Sequence, residues 1–323
     1  MHQRWLLNII LLGIILILGG VVFYTLEKEK PIESPKLTEI NADRVQKIRI
    51  ERAGKTPVSL KKDVNGFWQI TEPLTLPANS VRADRFLRIL SERQYKQLES
   101  SELNLVDFKL EPPLASIKFD QFTVAFGEQS PMGDGKRYML INQKVYLLTD
   151  TAYNSVTNDA VKFVHLSPLG NTPKIQALKI PNYDLVLKKG EWTLTSTFSD
   201  DEIETSTDAL NTLIDNWQIA QSYSVEIYEV DGNAENQAEG EIDVTLQGQE
   251  KPLHFVIVST SPDFLLARPD RKVQYRLPMS QVDKLLHLPT QADTNSSEQA
   301  EKQTEEQPEE KKEPISLPVP ARY

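Results

Sequence analysis

The chain has 323 residues, 39% of them hydrophobic, with no cysteine and a formal charge of -10. The acidic balance argues against nucleic acid as a partner, since phosphates need a basic footprint, and against broad adhesion to an anionic membrane surface. Without cysteine there are no disulfides, thiolate nucleophiles, zinc-thiolate sites or lipidated cysteine.

The first element lies at residues 5–24, which carry no charge and are bounded by Trp5 and Tyr24. At ~1.5 Å rise per residue, such a run spans a hydrocarbon core of ~30 Å. Aromatic rings favour its two interfaces. A secretory signal has a shorter apolar core of ~7–15 residues, and it ends in small residues at a cleavage site. Phe23-Tyr24-Thr25-Leu26 offers no such site. The sequence therefore predicts an uncleaved, single-pass anchor in a bacterial inner membrane, with the lipid bilayer as partner of residues 5–24. Arg4 lies before the run, and Lys28 and Lys30 lie after it, each beside a Glu. Charge is thus nearly balanced across the run, but the head of residues 1–4 has nothing to translocate. The expectation is a cytoplasmic N-terminus and a periplasmic body. Residues 25–43, with Pro31 and Pro35, form a spacer.

The body reads twice. Val58-Ser-Leu-Lys-Lys leads through Asn65-Gly66 to Phe67-Trp68-Gln-Ile, and Leu185-Val-Leu-Lys-Lys leads through Gly190 to Glu191-Trp192-Thr-Leu. Both are alternating strands joined by tight turns, and Asn-Gly is a strong hairpin signal. A helix follows each hairpin. Phe86, Ile89 and Leu90 in the first, and Leu210, Leu213, Ile214 and Trp217 in the second, recur every three or four residues and give one apolar face. Thr205-Ser-Thr-Asp208 resembles a capping box. Four more strands follow in each copy, with Ser130-Pro131 matching Ser261-Pro262. Closing helices over 152–163 and 280–288 end the copies. Each half reads as β-β-β-α-β-β-β-β-α.

The expected fold class is α+β: two tandem strand-rich repeats, 44–166 and 175–289, with antiparallel sheets and packed helices. Residues 167–174 form the joint. Residues 290–323 form an acidic tail. Over 291–323 there are eight Asp/Glu against four Lys/Arg, and no aromatic until Tyr323. That composition cannot offset its ordering entropy and predicts disorder. The tail's end, from Pro314 to Tyr323, is apolar and proline-rich. It suits an extended peptide in a partner's groove, with Ile315, Leu317, Val319 and Tyr323 as candidate partner-binding residues.

Catalytic signals are few. His2, His165, His254 and His287 share no metal spacing, and no Gly-x-Ser-x-Gly elbow occurs. Gly133-Asp-Gly-Lys136 lacks the phosphate-loop spacing and reads as a turn. Ser59-Leu-Lys-Lys62 lies on a strand, where positions three apart face opposite ways. Asp200, Asp201, Glu202 and Glu204 form an acidic cluster that reads as a solvated face. Trp68 and Trp192, equivalent by repeat, read as core. No catalytic, cofactor-binding or metal-binding residue is assigned.

These features, together with Leu60-Lys-Lys-Asp-Val-Asn-Gly-Phe-Trp-Gln-Ile, Pro77-Ala, Tyr138 and Val145-Tyr, resemble the DUF4340 family of bacterial envelope proteins over about residues 45–290. The family's Tyr-Gly-Leu-x-Pro is Phe108-Lys-Leu-Glu-Pro112 here. The resemblance implies an accessory role in the envelope, beside ABC-type export components, and brings no catalytic residue. The expected function is that of a membrane-anchored periplasmic scaffold or accessory subunit with an envelope protein partner, and not an enzyme. Two alternatives stand beside it. One is a ligand- or glycan-binding module with a cleft between the repeats. The other is a hydrolase built from dispersed acids.

Overall fold

The computed structural model describes residues 13–20, 35–99, 103–199, 202–229 and 238–290. Residues 13–20 are helical, and the rest of the 5–24 run lies outside the described residues. Among the described residues, no helix is long and apolar enough to cross a membrane.

The first repeat contains β1 (Lys47–Arg52), β2 (Lys55–Lys62), β3 (Trp68–Glu72) and β4 (Leu76–Pro77), then helix α1 (Ser80–Leu87). It continues with β5 (Tyr95–Leu98), β6 (Ala115–Phe119), β7 (Phe122–Gln129), β8 (Lys136–Ile141), β9 (Lys144–Thr149) and α2 (Tyr153–Val156). The second contains β10 (Ile175–Ile180), β11 (Tyr183–Lys188), β12 (Glu191–Ser196) and α3 (Thr207–Ile219). Then come β13 (Ser224–Ile227), β14 (Gly240–Leu246), β15 (Leu253–Ser259), β16 (Phe264–Arg268), β17 (Val273–Leu277) and α4 (Gln281–Leu286).

Among the described residues the strands form two sheets, ordered β4-β3-β2-β1-β6-β7-β8-β9-β5 and β12-β11-β10-β14-β15-β16-β17-β13. Without β4 the two orders are identical, strand for strand. Paired strands run antiparallel, as in β1 with β6 and β10 with β14. The fold is thus α+β, strand-rich, with two antiparallel sheets and a few helices. By packing, the described residues up to Ser59 and from Val81 to Asn158 form one compact unit, and those from Leu60 to Ser80 and from Asp159 onward form the other.

Local chemistry sets the hairpins. Lys188 pairs with Glu191, leaving Lys189 and Gly190 as the turn. Both have positive φ, 53° and 91°. That is the turn geometry whose twist matches the flanking strands, and glycine adopts it without steric cost. The longer turn between β2 and β3 is organised by Asp63, whose Oδ1 accepts the N–H groups of Asn65 and Phe67 at 2.9 Å each.

Helix α3 buries Leu210, Leu213, Ile214 and Trp217, the face its periodicity predicts. Trp217 is fully buried, and its ring lies 6.4 Å from that of Phe255. The cap differs from the expected capping box. Ser206, not Thr205, is the N-cap, and its Oγ accepts the Ala209 N–H at 3.2 Å. Asp208 sits in the first turn, where the helix dipole favours a carboxylate.

Four expectations need correction. Each repeat has a strand that the pattern missed, β5 and β13. Both are short edge strands, paired only with β9 and β17 in their sheets. An edge strand of four residues carries too little alternation to register. The closing helix expected over 152–163 is broken into α2 and a 3-10 turn at Ala160–Phe163. Asp159 between them adopts extended backbone, with ψ of 156°. Phe86, Ile89 and Leu90, expected on one helix, fall in two elements: α1 ends at Leu87 and a 3-10 turn follows at Arg88–Ser91. Finally, Trp68 is core at 2% exposure, but Trp192 is only half-buried. β3 is padded by β4 through the pairs Gln69 with Pro77 and Ile70 with Leu76, whereas β12 is the edge of its sheet.

This asymmetry predicts unequal costs. Trp68→Ala is expected to destabilise the protein by about 3–5 kcal/mol in chemical denaturation. Trp192→Ala should cost about 1 kcal/mol, because little area returns to water. Equal losses would contradict the different burial of the two rings.

Candidate functional site

The second repeat carries a concavity beside its two helices. Helices α3 and α4 are fastened together at two points. Trp217 Nε1 donates to the Leu285 carbonyl at 2.8 Å, and Asn216 Nδ2 donates to the Lys284 carbonyl at 3.3 Å. After α4 the chain turns back beside the segment that precedes α3. Ile203 bridges Thr290, and the Glu204 N–H donates to the Pro289 carbonyl at 2.8 Å. Between these pieces lies a groove of about 720 Å³. Its apolar surface comes from Tyr183, Phe198, Ile203, Leu213 and Leu288, and its polar rim includes Glu202, Asp283, Lys284 and His287.

Phe198 is 40% exposed, high for a large aromatic, and its ring lies 5.8 Å from that of Tyr183. Tyr183 is buried, and burial pushes its phenol above the ordinary value despite an opposing hydrogen bond at the Leu288 backbone. It therefore stays neutral and serves as a polar point on an apolar floor. Glu202 accepts both the N–H and the Oγ–H of Ser199 at 2.9 Å. The backbone bond first, then the hydroxyl, holds its carboxyl below the ordinary range, so the rim stays anionic.

A second groove, of about 500 Å³, is polar. Five amide side chains line it: Asn65, Gln69, Asn171, Gln247 and Gln249. Gln69 Nε2 donates to Asp63 Oδ2 at 3.1 Å, while the buried Nδ2 of Asn171 has no hydrogen-bond partner.

The residues singled out in the sequence fall apart in space. His165 Nδ1 accepts the Ser167 N–H at 3.0 Å, and burial lowers its pKa. His254 Nδ1 lies 2.8 Å from Asp243 Oδ1, in a partly exposed pair across β14 and β15. His287 lines the first groove. Glu204 Oε1 accepts the Ser206 N–H at the start of α3. In the glycine-rich turn Lys136 pairs with Asp134 at 3.1 Å. Ser59 accepts from Arg49 Nη1, and the Lys62 ammonium lies 5.1 Å from the Trp68 ring centre. His2, Asp200, Asp201, Ile315, Leu317, Val319 and Tyr323 lie outside the described residues. Among the described residues, no group of three or more His, Cys, Asp or Glu is placed to hold a metal ion.

Sequence reasoning missed an ion network on the second sheet. Arg276 donates through Nε and Nη2 to both oxygens of Glu226 at 3.1 and 3.0 Å, and through Nη1 to Asp263 at 2.7 Å. Fifty residues separate Arg276 from Glu226, so no local signal marks the pair. The Arg276 hydrogen bonds pull the Glu226 carboxyl down to about 2. A carboxyl lowered by folding stabilises the protein above its unfolded value of ~4.3 and loses that contribution as pH falls towards the folded value. Between pH 6 and pH 3 the wild type should therefore lose about 1 kcal/mol more stability than Glu226→Gln, a figure discounted for a pair one-third exposed. Denaturation midpoints at the two pH values check this. Identical acid sensitivity would contradict it.

No curated protein and no solved structure matches the chain. Residues 68–240 match a family described as Domain of unknown function (DUF4340). The match opens at the Trp68 hairpin and closes at the first residue of β14, a narrower span than 45–290. It covers more than half of the 323 residues, and the protein belongs to the DUF4340 family.

Proposed function

We propose that this protein is a membrane-tethered accessory subunit of a bacterial envelope complex, which holds an extended apolar peptide in the groove of its second repeat. The observation that carries this is the groove itself: an apolar floor with an exposed Phe198, a polar rim, and a peptide backbone already bridged along its wall at Ile203 and Thr290. Aromatic and aliphatic anchors inside a polar rim are the usual form of peptide and protein recognition. The tether is the uncharged run of residues 5–24, with the N-terminus cytoplasmic and the body in the periplasm. A component of an ABC-type transporter is the partner class that the family resemblance implies.

A second reading is favoured by the polar groove. Five amides and an unpartnered Asn171 Nδ2 suit a neutral, hydroxyl-rich ligand such as a glycan. Saturable heat on titrating neutral oligosaccharides into the detergent-solubilised full chain, abolished by Gln69→Ala, would favour this reading.

The native chain has no cysteine, so one introduced thiol reports its location. Val64 is fully exposed. Val64→Cys in intact spheroplasts is expected to react with a membrane-impermeant maleimide, and protection until lysis would overturn the periplasmic placement. A photocrosslinker replacing Phe198 should give a discrete adduct with a membrane or exported protein that the same group at Val64 does not give. Matching adduct patterns at the two positions would sink the groove reading.

A further inference from the structure

The two repeats close in the same way. In the first, Ala78 bridges Val164, and the Asn79 N–H donates to the Phe163 carbonyl at 2.7 Å. In the second, Ile203 bridges Thr290, and the Glu204 N–H donates to the Pro289 carbonyl at 2.8 Å. Past the first bridge the chain continues alongside Pro77. The His165 N–H donates to the Pro77 carbonyl at 2.8 Å, and Gly170 packs so tightly that an added Cβ would lie 2.9 Å from the Pro77 ring. Residues 167–170 of this segment are all buried, with Leu169 at 5% exposure.

Glu202 is the counterpart of Pro77, one residue before the bridge. In the second repeat the space beside it is the open groove, with Phe198 as its exposed wall. The residues directly after Thr290, Gln291-Ala-Asp-Thr-Asn-Ser296, are too polar for that floor. A better match lies further along. The segment past the first bridge, buried from Ser167 to Gly170, reads Leu166-Ser-Pro-Leu169, and the tail carries Ile315-Ser-Leu-Pro-Val319. Both are short, apolar, proline-containing peptides with a single hydroxyl, pre-set to be extended.

We propose that residues 314–323 of this chain occupy the groove in cis, completing the second repeat as residues 164–170 complete the first. The inference rests on the groove being a peptide site and names its resident occupant. Ile315, Leu317 and Val319 supply the apolar side chains. Arg322 meets a rim with two carboxylates, Glu202 and Asp283, against one lysine, Lys284. Reach is ample, since the 23 residues between Thr290 and Pro314 can span up to roughly 75 Å when extended. The chain leaves the described residues at Thr290, which is itself part of the groove wall. A tether of this length holds the peptide at an effective concentration of about a millimolar, so even weak affinity keeps the groove filled. An external partner with a similar peptide would then have to displace the tail.

The test uses the full chain, which has no native cysteine to interfere. Thr212→Cys on the groove wall is combined with Ser316→Cys, or with Gln303→Cys as a control in the spacer. With a short bismaleimide, the Ser316 pair is expected to form an intramolecular crosslink at least 10-fold faster than the Gln303 pair. Adding Leu317→Asp and Val319→Asp should bring the two rates together. Equal rates at the start, or crosslinks that appear only between chains when the single-cysteine proteins are mixed, overturn docking in cis. A synthetic 314–323 peptide is then added to the full chain bearing Leu317→Asp and Val319→Asp. If this peptide shields a Thr212→Cys thiol although no crosslink forms in cis, the groove stands as a peptide site and the resident-tail proposal falls. If it neither binds nor crosslinks, both fall.

Discussion

The architecture depends on two short backbone closures. A sheet with helices on one face leaves the segments around those helices with unpaired N–H and carbonyl groups, which are costly to bury alone. The chain meets this by turning back after each closing helix and pairing with the residues before the repeat's long helix. Ala78 with Val164, and Ile203 with Thr290, are these bridges. Backbone hydrogen bonds of normal length support them, from Asn79 and His165 in the first and from Glu204 in the second. Their equivalence in two sheets whose strand orders match apart from β4 marks closure as part of the repeated unit.

The two repeats part company in the chain beyond each closure. Past Val164 residues 167–170 are buried. His165 is held neutral by burial, and its Nδ1 accepts from the Ser167 N–H. The Leu166 carbonyl accepts from both the N–H and the hydroxyl of Ser222 in the second repeat. In the second repeat Phe198 is exposed beside the groove, and Trp192 on the edge strand β12 is only half-buried. Apolar surface bordered by charge is what a recognition site needs and what a sealed core removes. On the reading proposed above, the duplicated body is a frame whose second copy is completed by a peptide.

Much of the fold was legible in the sequence because its signals are local. Strand alternation around Gly66 and Gly190, and the apolar face of α3, lie within a dozen residues and survive without tertiary context. The edge strands β5 and β13 were not legible, because pairing along one side leaves no periodic burial. The exposure of Trp192 was hidden too, since a strand reads alike at an edge or under a covering turn. The groove was illegible for a different reason. Tyr183, Phe198, Ile203 and Leu288 come from separate segments, and no spacing joins them. Its one faint mark was Phe198, a large aromatic among serines and acids ahead of a helix. Likewise Arg276 and Glu226 meet only because β13 pairs with β17.

The measurement that bears most directly on this account is amide hydrogen exchange at Asn79 and Glu204, the two closure donors, in the full chain with and without Leu317→Asp and Val319→Asp. If a peptide from the tail completes the second repeat, Glu204 should exchange about 10-fold faster in the substituted chain, because a ligand that favours the closed state slows its opening in proportion to occupancy. Asn79, covered by residues 164–170, should not change. Equal exchange at Glu204 in both chains would show that nothing from the tail rests on that closure.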